Sequence, residues 1–287
     1  MDQLMANWRA RGRVLDCDGL GIFRVVEGSG TPLVLFHGFP SHSLDWRTLL
    51  PILSRHHRVL CLDFPGYGLS DKPTEYGYSL VDQFRITEQV LKQEGFDEFD
   101  LVCHDMGSSI ACELFYQMQK GGTRIKTRRV IFLNGSVYME MAKPLFTQRL
   151  LRKKYLGPLL ARFASKRLFE RQFRSVFADR SLLSKEEIDA YWWTLTDNRQ
   201  IMPKLAGYMN ERLRRADRWL PTLKKLSSPA LILWGRSDPV AVPAIAHRLH
   251  RELPDSRLIW LTGIGHYPQL EAPAEVAGHI ETFLNNR

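Results

Sequence analysis

Phe99-Asp100-Leu101-Val102-Cys103-His104-Asp105-Met106-Gly107 is the stretch on which the reading of this chain turns. An apolar run, Phe99 to Cys103, leads into a short polar turn and then into a helix-like run from Ser108 to Met118. That is the strand, sharp turn and helix context of a nucleophile elbow, which exposes its central side chain. The turn closes only when the residues two positions either side of the nucleophile are small, and Cys103 and Gly107 both fit. Ser108 and Ser109 fall on the first helical turn, past the exposed position. The expected nucleophile is therefore the carboxylate of Asp105, and the expected intermediate is an ester of that carboxylate.

Working outward, short aliphatic runs alternate with helical patterns. Gly21–Val26 reads as an early antiparallel strand, and Leu33–Phe36, Arg58–Leu62, Phe99–Cys103 and Val130–Leu133 as buried strands. Asp45–Leu53, Leu80–Gln93 and Ser108–Lys120 read as the helices between them. From about Ser136 to Pro221 the alternation gives way to a helical, aromatic and arginine-rich pattern. It resumes with Ala230–Trp234 and Arg257–Leu261 as strands and Val242–Glu252 and Ala274–Leu284 as helices. The expected fold class is α/β, a mostly parallel twisted sheet flanked by helices. The expected organisation is a core over residues 1–135, a helical cap over 136–222 inserted after the sixth strand, and the rest of the core over 223–287.

Composition narrows the functional classes. The chain of 287 residues is 44% hydrophobic and carries a formal charge of +9, so a sizeable core is affordable and a basic surface is expected. No run is long and apolar enough to cross a bilayer, and Met1–Arg13 lacks the apolar centre of a secretory signal. Cys17, Cys61, Cys103 and Cys112 have no metal-ligand spacing, so they are expected to be reduced thiols of a cytoplasmic protein. Neither a metal nor a cofactor is expected. The charge is local: Lys143 to Arg180 holds eleven basic residues against Glu170 and Asp179, interleaved with Leu150, Leu151, Tyr155, Leu159, Leu160, Phe163, Leu168 and Phe169. The favoured reading is a solvated helix face whose apolar side closes over a substrate pocket. Contact with an anionic membrane is compatible with the pattern but less favoured, and nucleic acid is excluded for want of a binding motif. The expected partners are a small hydrophobic substrate and water; oligomeric state leaves no signal in the sequence.

Four segments then resemble one superfamily. His37-Gly38-Phe39-Pro40 resembles the HGxP turn, and Asp63-Phe64-Pro65-Gly66-Tyr67-Gly68-Leu69-Ser70-Asp71-Lys72-Pro73 the DxPGxGxSxxP segment, of the α/β-hydrolases. Trp234-Gly235-Arg236-Ser237-Asp238-Pro239 and Gly263-Ile264-Gly265-His266 resemble the late strand ends that supply the acid and the histidine. The aspartate elbow points to the epoxide hydrolase and haloalkane dehalogenase branch. Asn134-Gly135-Ser136, Asp238-Pro239-Val240 and His266-Tyr267-Pro268-Gln269-Leu270-Glu271 are also similar to segments of the mesoderm-specific transcript proteins. The resemblance implies an α/β-hydrolase fold with Asp105 as nucleophile, His266 as base and Asp238 as its acid partner, Glu140 being the alternative acid. It further implies backbone N–H donors at Phe39 and Met106 for an oxyanion. Dehalogenases hold the departing halide with a tryptophan directly after the nucleophile, where Met106 stands here; Trp192, Trp193 or Asn134 would have to substitute. Epoxide hydrolases use cap tyrosines as proton donors, for which Tyr208 and Tyr191 are the candidates. The resemblance thus implies hydrolysis of a hydrophobic epoxide to a diol. Haloalkane dehalogenation and a non-catalytic, partner-binding role stand as alternatives.

Overall fold

The computed structural model describes residues 3–285. Eight strands form one sheet: β1 (Arg13–Cys17), β2 (Leu20–Glu27), β3 (Thr31–Phe36), β4 (His57–Leu62), β5 (Glu98–His104), β6 (Lys126–Leu133), β7 (Ala230–Gly235) and β8 (Ser256–Leu261). Their order across the sheet is β1-β2-β4-β3-β5-β6-β7-β8. β2 pairs antiparallel with β1 and β4, and every pairing from β4 to β8 is parallel.

The central strands are apolar on both faces because helices cover both. Alternate residues of the same strand enter different cores. Val34, Phe36, Leu101, Cys103, Val130 and Phe132 pack with the helices Leu80–Gln93, Met106–Lys120, Ala216–Leu223 and Pro243–Glu252. Leu33, Leu35, Val102, Ile131 and Leu133 pack with Trp8, Trp46, Leu50, Leu53 and the helix Pro273–Asn285 on the other side. Each fully buried aliphatic or aromatic side chain of these cores contributes about 1.5–3 kcal/mol.

The helix Leu80–Gln93 starts where Ser79 accepts from the Asp82 N–H. The helix Met106–Lys120 ends at Gly121, whose φ of 69° supplies the left-handed cap. Between β6 and β7 the described chain is helical and contains no strand. The last helix of this insertion, Ala216–Leu223, packs on the core helix Met106–Lys120. There Arg218 forms a bidentate pair with Glu113 at 2.8 and 2.6 Å, and the Trp219 indole donates to the same carboxylate at 2.7 Å.

Three elements differ from the sequence expectation. The helix Gln3–Arg11 and the edge strand β1 were not foreseen: the helix shows only a weak apolar stripe, and β1 is mostly exposed. Asp45–Leu53 is not one helix but a 3-10 turn, Ser43–Trp46, followed by a single turn, Leu50–Leu53, that begins beside Pro51. Buried Asp45 accepts from the Ser41 and Tyr191 hydroxyls, and these side-chain bonds fix the 3-10 turn.

Candidate active site

The loops that follow β3, β5, β6, β7 and β8 meet at the carboxyl edge of the parallel sheet, the edge at which open α/β sheets bind ligands. Asp105 follows β5 with φ 43° and ψ −116°, a conformation disfavoured for a residue with a side chain and held here by its surroundings. Its carbonyl oxygen accepts from the Ser108 N–H at 3.0 Å, the Ser108 hydroxyl at 2.6 Å, the Ser136 N–H at 3.2 Å and the Ser136 hydroxyl at 3.0 Å. Ser108 is therefore occupied in bracing the elbow, and Ser109 bonds to Ser136. Close approach is required on both sides. A Cβ on Gly38 would lie 2.7 Å from the Asp105 Cβ, and one on Gly107 would lie 2.6 Å from the Phe36 carbonyl oxygen.

The Asp105 side chain is buried and divided in its contacts. Oδ1 accepts from the Phe39 N–H at 2.9 Å, and the Met106 N–H also donates to the carboxylate. Oδ2 lies 3.7 Å from His266 Nε2. On the far side of the ring, His266 Nδ1 and Asp238 Oδ2 are 2.6 Å apart. Asp238 is fixed in turn: Oδ1 accepts from the Val240 and Ala241 N–H groups at 2.7 and 2.9 Å, and Oδ2 from the Asn134 amide at 2.6 Å. The nucleophile, base and acid candidates are thus brought together, with two backbone donors already on the Asp105 carboxylate.

Burial shapes the electrostatics. It raises the Asp105 pKa above the ordinary carboxylate value, against the opposing pull of His266 and of the Phe39 and Met106 donors. Burial alone would depress His266, yet the Asp238 charge and hydrogen bond, with Asp105 nearby, raise it to about 9. His266 therefore rests as the imidazolium at neutral pH, beside Asp105. His37 is driven the other way by burial, to about 4, and stays neutral, with Nδ1 facing the Gly38 carbonyl and Nε2 accepting from the Phe64 N–H. Replacing Asp238 by asparagine is expected to lower the His266 pKa from about 9. It is also expected to reduce turnover by about 10²–10⁴-fold, read by NMR titration of the ring and by steady-state rates.

The other expected site residues separate. Tyr208 is buried, lines the same cavity as Asp105, and rests its ring 5.6 Å from that of Phe39. Tyr191 does not line the cavity: its hydroxyl donates to buried Asp45 at 2.8 Å, which removes it as a proton donor to substrate. Glu140 pairs with Arg248 at 2.6 Å on a half-exposed surface, far from the role of alternative acid. Among the proposed halide donors, Asn134 is committed to Asp238 and to the Gly265 carbonyl, and Trp193 is exposed. Trp192 does reach the cavity wall.

Three further residues position the site; of these, the sequence offered Asn134 only as a halide donor. Asn134 holds Asp238, and its own oxygen accepts from the Gly235 N–H at 2.9 Å. His104 Nε2 sits 2.7 Å from the His266 carbonyl oxygen. Glu271 receives the Gly265, Tyr267 and Ala178 N–H groups and so ties the histidine loop to the helical insertion. Asn134 and Glu271 lie in segments whose resemblance was visible. Their roles were not: Asn134 holds Asp238 from a loop remote in sequence, and Glu271 joins its own loop to the distant Ala178 N–H.

The cavity encloses about 230 Å³ between the sheet edge and the helical insertion. Asp105 and His266 stand at its floor, and among the described residues no other carboxylate and no lysine or arginine lines it. Its walls are chiefly Met139, Leu150, Leu160, Phe169, Phe173 and Met209. Such a site suits an uncharged, apolar molecule and keeps bulk water away from the carboxylate.

Residues 33–279 match the alpha/beta hydrolase family. LipZ of Mycobacterium tuberculosis is 37% identical over 274 residues, spanning 94% of each chain. The mesoderm-specific transcript protein of Mus musculus is 32% identical over 98% of this chain and 88% of its own length. Among solved structures, the epoxide hydrolase CorEH superposes with a TM-score of 0.79 at 20% identity, covering 95% of this chain and 98% of that one, a likeness of fold. With its sheet order, its strand-end residues and these matches in agreement, the chain belongs to the alpha/beta hydrolase family and is a hydrolase of that superfamily.

Proposed function

We propose that the chain hydrolyses a hydrophobic epoxide to a diol through an alkyl ester on Asp105. One observation carries the reading: among the described residues the only carboxylate lining the apolar cavity, Asp105, stands at the elbow and shares that cavity with the Tyr208 side chain. Burial and the Asp105 charge push the Tyr208 pKa well above its ordinary value, so the phenol keeps its proton until a stronger base appears. The alkoxide of an opening epoxide is such a base.

The steps balance. Asp105 Oδ2 attacks a ring carbon, the ring C–O bond breaks, and its electron pair stays on oxygen, which takes the Tyr208 proton. The tyrosinate regains a proton from the solvent at the expense of His266, which becomes neutral. Loss of the Asp105 charge on ester formation favours that deprotonation, since the charge helps to hold the imidazolium. His266 then takes a proton from water, and the hydroxide adds to the ester carbonyl carbon. The oxyanion is held by the Phe39 and Met106 N–H groups. Collapse expels the diol alkoxide, which takes the new acid's proton and leaves Asp105 ionised.

A single turnover in H₂¹⁸O tests this. The first diol is expected to carry an unlabelled oxygen from Asp105, with label appearing in the Asp105 carboxylate. Label in the first diol would mean direct attack by water and would refute the ester. Tyr208→Phe is expected to slow epoxide opening by about 10²-fold and to leave any reaction with a haloalkane unchanged.

A second reading, dehalogenation, is favoured by one observation: the Trp192 indole reaches the cavity wall. Neither position that follows the family pattern supplies a side-chain donor, because Phe39 has none and the Met106 sulfur accepts from the Tyr67 hydroxyl at 3.2 Å. Halide release faster than diol formation across matched substrates would give this reading precedence.

A further inference from the structure

The basic segment does not behave as a simple solvated face. Residues 144–169 contain no aspartate or glutamate and seven lysines or arginines. Part of its apolar side closes the cavity as expected, through Leu150, Leu151 and Leu160. The opposite side is apolar too. Tyr155 is 83% exposed, Phe163 77% and Phe146 65%, with Leu156 and Leu159 exposed beside them. They project from the helices Phe146–Leu151 and Leu156–Arg162 and the turns that flank them. Large apolar side chains clustered on a water-facing surface mark a contact with something other than water.

Charge identifies the occupant. Arg149, Lys153, Lys154 and Arg162 are exposed, and among the described residues none of them has a carboxylate within ion-pair distance. A groove between Phe146 and Leu150 is rimmed by Arg149, Arg152 and Lys153, which sets cations beside an apolar floor. Apolar side chains ringed by unpaired lysine and arginine match an anionic bilayer surface, with headgroup charge outside and acyl chains within reach. Phe146 and Phe163 belong both to this crest and to the cavity wall, so the cavity opens where the crest would meet the lipid.

We propose that the helices of residues 146–163 dock this protein on an anionic lipid surface, with the cavity facing the bilayer. Docking uses the unreacted protein and stands apart from the chemistry at Asp105, so either proposal can fail alone.

Co-sedimentation with vesicles tests it, comparing phosphatidylcholine alone with a phosphatidylcholine and phosphatidylserine mixture at physiological salt. Each basic residue near such a surface is worth roughly a fivefold change in partitioning. The wild type is expected to bind the anionic vesicles at least about tenfold more than the neutral ones. The triple variant Lys153→Glu, Lys154→Glu, Arg162→Glu is expected to lose at least about tenfold. Tyr155→Ser, Leu156→Ser, Leu159→Ser together are expected to lose a comparable amount and to leave residual binding strongly salt-dependent. None of these six residues lines the cavity, so hydrolysis of a soluble substrate and the melting temperature are expected to stay unchanged. No sedimentation with either vesicle overturns the proposal. So does binding to RNA or heparin as tight as to vesicles and unaffected by the serine variant, which would assign the surface to a polyanion. A wild-type dimer that the serine variant dissociates, without vesicle binding, would assign it to a second copy of the chain.

Discussion

Asp105→Ala is expected to lower epoxide turnover by at least about 10⁴-fold, because it removes the atom that forms the covalent bond and nothing nearby can replace it. Ser108 and Ser136 are tied to the Asp105 carbonyl, and no other carboxylate lines the cavity among the described residues. Asp105→Asn keeps the shape and the Phe39 contact and is expected to be equally inactive at first, which separates lost chemistry from lost structure. The fold holds the Asp105 pKa above its ordinary value, so ionising this carboxylate costs stability as pH rises through the raised value. Asp105→Asn is therefore expected to melt no lower than the wild type at neutral pH, as judged by calorimetry. Residual activity within tenfold of the wild type would remove Asp105 from the reaction.

The second large effect belongs to His266. In the wild type its pKa of about 9, held up by Asp238 and Asp105, means that the ring is an imidazolium at neutral pH. Ester formation erases one of the charges that hold that proton, so the histidine becomes a base only after the first step. His266→Ala or His266→Gln is expected to leave ester formation nearly intact and to slow ester hydrolysis by at least about 10³-fold. The pH dependences of the two steps should then differ. Ester formation falls as acid protonates Asp105, whereas hydrolysis rises with pH as His266 loses its proton. In Asp105→Asn, a neutral mimic of the ester, NMR titration should find the His266 pKa below about 9.

The raised value also enters stability. A histidine whose folded pKa exceeds its unfolded value stabilises fully below about pH 6.5. That contribution is lost as pH rises through about 9. Part of any alkaline loss of melting temperature should therefore vanish in His266→Ala.

How much of this was legible beforehand depended on where the physical signal lay. The parallel strands were readable because burial on both faces requires unbroken aliphatic runs, as in Val130–Leu133 and Ala230–Trp234. β1 was not, since an exposed edge such as Arg13–Val14–Leu15 has no such requirement. The helix Leu80–Gln93 was read to the residue; the structure adds the Ser79 cap and a strong apolar stripe. Asp45–Leu53 was misread because a buried carboxylate, invisible as such in sequence, holds a 3-10 turn in place of a helix.

Within the site, Asp105, Asp238 and His266 fall at strand ends whose turn residues mark them, and the fold brings them together. Tyr191 and Tyr208 looked equivalent in sequence. Only packing separates them, one hydroxyl bonded to buried Asp45 and the other side chain lining the cavity that holds Asp105. The hold of Asn134 on Asp238 went unread because bonding to a partner on a distant loop leaves no local pattern.

The central claim, a covalent ester on Asp105, is tested most directly by intact-protein mass spectrometry of His266→Ala after exposure to an aryl epoxide. With hydrolysis slowed and attack preserved, the protein should gain the mass of one whole epoxide, and peptide mapping should locate it on Asp105. An unmodified mass from a variant that still forms diol, or an adduct on any other residue, would contradict the account.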